Sequence, residues 1–247
     1  MSIQYLNNFT GRGATQVLET AKTWFEKLLA MYDWNEKSSV EVQSDGLTII
    51  SKYYFTENSY LYVYSTRYGQ GSFWNLKWKI VTPFGEVVPS DSSITYYSGA
   101  YAMSVKATRT SKGIGICLYN YGDSMGEQYD TGNPKDFNFM IGEYEFNGET
   151  KRGLIYHNNK GTTTITNPLR YAIYSDDEHG TGVTRYTYID ADRKAVYVPL
   201  ASTVTGAVFK DICLIRYSPA NFVVEEIEGK DKWVCGIGLA LRHTEEV

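Results

Sequence analysis

The sequence predicts a mainly β protein, an antiparallel β-sandwich or barrel-like fold that carries one N-terminal amphipathic helix. After residue 46, short runs rich in Val, Ile and Tyr alternate with polar turn signals. These runs follow one another without the intervening helices that a parallel α/β fold requires. The 247 residues suffice for a buried core. We therefore expect an N-terminal helical segment over 1–46 and a β-rich body over 47–247. The body is expected to hold two β layers or subdomains, divided near 121–136.

One amphipathic helix is predicted between Ala14 and Tyr32. Its apolar residues recur at steps of three and four and form one face, which comprises Val17, Leu18, Ala21, Trp24, Phe25, Leu28, Leu29 and Tyr32. Thr10 or Thr15 is placed to cap its start, and the polar stretch 33–35 is expected to end it. The apolar face either packs on the sheet or docks on a neighbouring subunit.

Three strands with alternating faces are predicted at the start of the β-rich body, at Leu47–Phe55, Tyr60–Thr66 and Phe73–Val81. Tyr60, Tyr62 and Tyr64 share one face of the second strand. In the third strand, Trp74 and Trp78 alternate with lysines, which is typical of a strand with one buried and one wet face.

The later strands are predicted from the same patterns, at Tyr101–Thr108, Gly113–Tyr119, Phe137–Phe146, Gly153–His157, Thr162–Thr166, Leu169–Tyr174, Val183–Ile189, Ala195–Leu200, Val208–Tyr217, Phe222–Ile227 and Trp233–Leu241. Asn147–Gly148 carries the signal of a tight hairpin turn. The stretch 121–136 is polar and glycine-rich without a period, so it is predicted to be a long loop or a boundary between two β layers.

Tyrosine is the unusual residue of the composition. The chain has 22 Tyr, against 10 Phe and five Trp. A tyrosine ring packs well on a pleated sheet, and its apolar ring with a wet hydroxyl suits protein interfaces. The composition therefore favours a β protein with aromatic contact surfaces.

Charge and cysteine content limit the expected partners. The formal net charge of −4 gives no electrostatic reason to bind nucleic acid or a membrane, so neither is expected as a partner. Cys117, Cys213 and Cys235 each lie in an apolar run and are interpreted as buried thiols, with a disulfide between two of them as the alternative. Metal-ligand spacings are missing from the sequence, so no cofactor is expected.

Gly122–Gly126 has the Gly-x-Ser-x-Gly spelling of a nucleophile elbow, with Ser124 as the nucleophile and His243 later in the chain. Such an elbow needs a helix directly after the serine. Residues 127–134 contain a glycine and a proline and have no apolar face. An ordinary turn is therefore the favoured interpretation.

Two acidic stretches are also predicted to be turns. Asp176–His179 offers oxygen and nitrogen ligands, but it lacks the spacing of a calcium or zinc site, so we expect a solvated loop. Asp190–Lys194 lacks the glycine and distal glutamate of an EF-hand loop and is interpreted as a hairpin turn.

The order of segments resembles a known class of protein. A short polar start precedes the aromatic helix around Thr23–Leu29, which ends near Tyr32–Trp34, and β runs such as Tyr101–Thr108 and Gly113–Leu118 follow. Over roughly two thirds of the chain, this layout resembles the virion structural proteins of tailed bacteriophages, in particular tail, neck and baseplate components. The resemblance implies a homo-oligomer built into a particle without a cofactor, and it carries over no functional residues.

The expected function is therefore structural: a component of a phage particle that acts through interfaces with copies of itself and with other virion proteins. It is expected to be made in the host cytoplasm, to reside in the virion and to catalyse no reaction. The candidate interface consists of large aromatic residues, namely Trp24, Phe25, Tyr60, Tyr62, Tyr64, Trp74 and Trp78. Two alternatives stay open: a carbohydrate- or receptor-binding module that meets a host surface glycan, and a hydrolase that uses Ser124.

Overall fold

The computed structural model of the chain describes residues 2–6, 14–32, 34–68, 73–87, 93–97, 103–120, 136–159, 169–177, 179–184, 199–201, 205–214, 223–227, 231–235 and 239–245. In chain order, their strands are β1 (Gln4–Leu6), β2 (Ser39–Val42), β3 (Thr48–Tyr54), β4 (Tyr60–Tyr68), β5 (Phe73–Thr82), β6 (Gly85–Val87), β7 (Ser93–Tyr97), β8 (Met103–Arg109), β9 (Gly113–Asn120), β10 (Asp136–Phe146), β11 (Glu149–Asn159), β12 (Leu169–Tyr174), β13 (His179–Thr184), β14 (Pro199–Ala201), β15 (Val208–Leu214), β16 (Val223–Ile227), β17 (Asp231–Cys235) and β18 (Leu239–His243). The predicted mainly β fold with one N-terminal helix is confirmed.

The helix α1 spans Ala14–Met31, one residue short of the predicted end. Its last turn is closed by the Tyr32 N–H, which donates to the carbonyl oxygens of Leu28 and Leu29 at 2.9 and 3.0 Å. The apolar face lies in the core of the same chain, with these members buried: Ala21, Trp24, Phe25 and Leu28. Of the two roles open for this face, packing within the chain is the one that the structure has.

The described strands form two antiparallel sheets. Six strands build the first sheet in the order β2-β3-β4-β5-β6, with β7 also beside β5. Twelve build the second in the order β1-β8-β9-β10-β15-β18-β17-β16; in addition, β11, β12 and β13 extend it in turn from β10, and β14 lies beside β15. The chain passes from the first sheet to the second between β7 and β8. The strands β9 and β10, on either side of 121–135, pair with each other, while β2, within the 1–46 segment, is part of the first sheet.

The buried apolar residues form two hydrophobic cores, of which the first joins the two sheets and the second lies within the twelve-stranded sheet. The first fills the space between α1, the inner face of the six-stranded sheet and one face of the twelve-stranded sheet. Within it, the Trp78 and Phe139 rings meet edge to face with centroids 5.8 Å apart. Met140 and Ile155 belong to the second core, on the opposite face of β10 and β11, because neighbouring residues of a strand point to opposite faces. Both faces of this central hairpin are therefore buried.

Glycines fix two tight places in the second sheet. Asn147 and Gly148 join β10 to β11 with positive φ angles of 51° and 80°, so the hairpin turn predicted at this dipeptide is confirmed. At Gly113, an added Cβ would lie 2.3 Å from the Ile141 carbonyl oxygen. Only glycine lets β9 approach β10 this closely.

Some strand predictions differ from the structure or lie outside the described residues. The run Trp233–Leu241 is not one strand: β17 and β18 pair with each other within it. Gly236 and Gly238 interrupt this apolar run in the sequence, which lowers its strand propensity. The run Thr162–Thr166 and the predicted strand residues 101–102, 185–189, 195–198, 215–217 and 222 lie outside the described part of the chain.

Candidate functional site

Tyrosines and lysines line the solvent side of the six-stranded sheet. Strand β3 buries Ile49, Ser51 and Tyr53 against the core, and its alternate residues point outward. The same alternation continues across β4 and β5, where Leu61 and Trp78 are buried. We call the outward set the tyrosine–lysine face; its half-buried or exposed members are Lys52, Tyr54, Tyr60, Tyr62, Tyr64, Lys77 and Lys79.

The strand register sets the neighbours on this face. Tyr62 lies opposite Lys52 of β3 on one side and opposite Lys79 of β5 on the other. Tyr64 lies opposite Lys77. Directly opposed residues of antiparallel strands have Cβ atoms about 5 Å apart. Each central tyrosine therefore has an ammonium-bearing side chain as an immediate neighbour.

Two contacts order the rings before any partner arrives. The Tyr54 and Tyr60 ring centroids lie 4.6 Å apart with planes inclined at 34°. The Lys79 Nζ lies 4.9 Å from the centroid of the Tyr62 ring, a cation–π contact that contributes about 0.5–1 kcal/mol at an exposed site. Side chains that are already ordered lose less conformational entropy on docking.

The tyrosine hydroxyls of the face are available to hydrogen-bond a partner. Within the described part of the chain, the hydroxyls of Tyr54, Tyr60, Tyr62 and Tyr64 make no hydrogen bond. Burial is the main cause that raises the pKa of the Tyr60 hydroxyl, so this group stays protonated and can donate a hydrogen bond at neutral pH. The face therefore presents unused donors beside apolar rings.

The lysines of the face differ in their ion pairing. The Lys79 Nζ lies 2.7 Å from a carboxylate oxygen of Glu86 on β6. Lys52 and Lys77 form no ion pair with any described residue. Two positive charges on this side of the sheet are thus not compensated by described carboxylates.

The structure separates the predicted interface residues into three groups. Trp24, Phe25 and Trp78 are only 3%, 2% and 2% exposed and lie in the first core. Their rings are large and aromatic, as the prediction requires, but they cannot reach a partner while the chain stays folded. Tyr60, Tyr62 and Tyr64 lie together on the tyrosine–lysine face, and the side chain of Trp74 lies outside the described residues.

The acidic loop at Asp176 joins the two sheets. The Asp176 Oδ1 accepts hydrogen bonds from the Thr56 Oγ1 at 2.6 Å and the Ser59 Oγ at 2.5 Å, and its Oδ2 accepts one from the Asn58 Nδ2 at 3.3 Å. Asp177 accepts one from the Lys151 Nζ at 2.8 Å. The Asp176 carboxylate therefore links the two sheets, and we call this contact the latch. The loop is not fully solvated as expected, because Asp176 is half-buried, whereas Asp177 is exposed. The described residues contain no group of three or more His, Cys, Asp or Glu placed to hold a metal ion.

An arginine–tryptophan stack closes the end of the first core beyond the C-terminus of α1. The guanidinium carbons of Arg109 and Arg152 lie 4.5 and 4.3 Å from the Trp34 ring centroid. Arg152 also lies 3.9 Å from a carboxylate oxygen of Glu143. Burial raises the pKa of Tyr32 well above its usual value, and the two arginines oppose this rise. Cations near a helix C-terminus are favourable, which gives the stack a structural role that no sequence pattern indicated.

The remaining sequence candidates have structural roles or are not described. His243 is buried, and its Nδ1 accepts the Ser111 N–H at 3.3 Å. The Thr244 N–H in turn donates to the Ser111 Oγ at 2.9 Å. These bonds tie the end of β18 to the turn between β8 and β9. Cys213 is a buried thiol outside any disulfide, as predicted. The sites at Ser124 and 190–194, Glu178 and the side chains of Cys117 and Cys235 lie outside the described residues.

Comparison of the chain with protein-family models, with curated proteins and with solved structures finds no match. Helix α1, the helix of the described residues, is not long and apolar enough to cross a membrane. Because these comparisons point to no site, the functional candidate is chosen from the geometry of the chain alone, and it is the tyrosine–lysine face.

Proposed function

We propose that the chain is a structural component of a bacteriophage particle, in its tail, neck or baseplate, and that it acts through protein–protein interfaces. One observation carries the proposal: four tyrosines and three lysines lie on the outward side of a sheet whose inner side is the core. The partners are copies of the chain and other virion proteins. The proposal implies a place in the virion after synthesis in the host cytoplasm, and no catalytic role.

The energetics favour the tyrosine–lysine face as the contact surface. A half-buried tyrosine that hides a further 50 Å² or so on docking contributes about 1 kcal/mol. Four such rings supply about 4 kcal/mol before ordering costs, and the contacts of Tyr54 with Tyr60 and of Tyr62 with Lys79 lower those costs. Tyrosine is also among the residues that dominate binding energy at protein interfaces.

The test removes two rings from the centre of the face. The double variant Tyr62→Ser/Tyr64→Ser is compared with the wild type by mass photometry and sedimentation velocity, alone and with co-expressed virion proteins. We expect the wild type to form multimers or complexes and the double variant to lose them. Tyr5→Ser is the matched control, because Tyr5 is an exposed tyrosine of β1 in the other sheet.

Circular dichroism establishes that the variants are folded. A wild-type chain that stays monomeric and binds no virion protein contradicts the proposal. A folded double variant that assembles like the wild type contradicts it equally.

A carbohydrate- or receptor-binding role on the virion is the alternative that the same rings favour. The tilted pair Tyr54 and Tyr60 and the lysine-flanked ring of Tyr62 offer apolar faces edged by polar groups, which suits the face of a sugar ring. A glycan array separates the two roles: hits that disappear in Tyr62→Ser/Tyr64→Ser favour the glycan role, and an array without hits removes it.

A further inference from the structure

Hydrogen-bond donors outnumber acceptors on the tyrosine–lysine face. An ammonium group is a donor only, and a phenol is a donor with modest accepting capacity. The face carries four phenols without hydrogen bonds to described residues and three ammonium groups. The nearby carboxylate of Glu86 is already paired with Lys79. A complementary surface must therefore be rich in acceptors.

The local charge of the face opposes the charge of the whole chain. The chain has a formal net charge of −4, but Lys52 and Lys77 lack carboxylate partners among the described residues. Glu41 of β2, opposite Ile50 and diagonal to Lys52, is the nearest acidic position in the register, and this one carboxylate is outnumbered by the two lysines. Complementary potentials steer association and penalise like-charged partners. A partner surface that complements this face in charge is therefore negatively charged.

From these observations we infer that the occupant of the tyrosine–lysine face is a carboxylate-rich segment of a neighbouring protein. The inference rests on the proposed function and names the chemistry of the partner. Phenol hydroxyls and ammonium groups both donate to carboxylate oxygens, and charge-assisted bonds of this kind are the stronger ones. The tyrosine rings supply the apolar contact between the charged ends.

The spacing of the free lysines favours a segment over a small anion. Lys52 lies on β3 and Lys77 lies two strands away on β5. Their positions differ by two residues along the strands, because Lys52 is opposite Tyr62 and Lys77 is opposite Tyr64. Strand spacings of about 4.8 Å, and about 3.4 Å per residue along a strand, place their Cα atoms about 12 Å apart. An extended segment repeats carboxylates on one side about every 7 Å, so it can meet both ammonium groups with the tyrosines between them.

The experiment uses the full chain and a synthetic peptide of alternating glutamate and serine as the probe. Isothermal titration calorimetry at low salt measures its Kd for the wild type, for Lys52→Gln/Lys77→Gln and for Lys22→Gln/Lys27→Gln. The last variant is the matched control, because both lysines lie on the exposed side of α1. We expect the peptide to bind the wild type and the control equally. The face variant should bind about tenfold more weakly, and added salt should weaken wild-type binding.

Three results would overturn the inference. The first is that the peptide does not bind, and the second is that the face variant binds it as well as the control does. The third is that a single-stranded oligonucleotide or a uronic-acid glycan binds the face more tightly than the peptide does. The assembly assay separates this failure from that of the proposed function. If Tyr62→Ser/Tyr64→Ser loses assembly while Lys52→Gln/Lys77→Gln keeps it, the proposed docking face is supported and the inference of a carboxylate-rich partner is contradicted. If both variants assemble normally, both proposals fall.

Discussion

Removing the Asp176 carboxylate tests how the two sheets are joined. Asp176 lies in the turn between β12 and β13, and its Oδ1 accepts two short hydrogen bonds from the turn between β3 and β4. The donors, Thr56 and Ser59, are separated from it by 120 and 117 positions. The Ser59 side chain is fully buried. The change Asp176→Ala deletes the acceptor and leaves this buried hydroxyl without it.

The expected loss follows from the number and kind of these bonds. A hydrogen bond to a charged group contributes about 1.5–3 kcal/mol, and an unsatisfied buried donor costs a similar amount. The bond from Asn58 is long and exposed, so it adds little. Because Asp176 is only half-buried, we take the lower part of the range and expect Asp176→Ala to lower the free energy of unfolding by about 3 kcal/mol. Asp176→Asn keeps an oxygen acceptor and should lose about 1.5 kcal/mol.

Urea unfolding followed by tryptophan fluorescence measures these losses, and thermal unfolding should show a Tm about 6–10 °C lower for Asp176→Ala. Asp177→Ala is the control, since the Asp177 ion pair with Lys151 is partly exposed and contributes at most about 1 kcal/mol. Equal losses for the Asp176→Ala and Asp177→Ala variants would refute the latch between the sheets.

Two further predictions concern stability. Burial lowers the pKa of His243 in the folded chain. At a pH below about 6.5, the unfolded chain therefore binds a proton at this residue more readily than the folded chain does. The free energy of unfolding should thus fall from pH 7.5 to 5.5, and His243→Gln should flatten this slope in urea titrations. Gly113→Ala should lower the free energy of unfolding by more than about 2 kcal/mol, because its Cβ would meet the Ile141 carbonyl oxygen. Gly148→Ala, with open space but a φ of 80°, should lose only about 1 kcal/mol, and similar losses for both glycines would contradict the close approach at Gly113.

Local periodicity was sufficient to predict which residues of β4 share a face, but it left open whether the tyrosines lie in the core or on the surface. The alternation of Tyr60, Tyr62 and Tyr64 placed three rings on one side of β4, and Lys77 and Lys79 marked the wet side of β5. Both patterns have the period of two that a strand imposes on its side chains. The turn at Asn147 was predictable for a similar reason, because its dipeptide with Gly148 favours positive φ.

Features that depend on distant packing were not predictable from the sequence. The helical period shows that Trp24 and Phe25 share an apolar face, but it leaves open whether this face packs within the chain or docks on a neighbouring subunit. The same holds for Trp78, whose ring meets Phe139 of the other sheet. The acidic loop looked solvated because the donors to Asp176 lie more than a hundred positions away.

Nitration of tyrosines in the free and the assembled chain, located by mass spectrometry, tests the docking face most directly. The account predicts that Tyr60, Tyr62 and Tyr64 react in the free chain and become protected on assembly, while the exposed Tyr5 reacts in both states. Unchanged labelling of the three tyrosines in a fully assembled sample, with protection at Tyr5 instead, would contradict it.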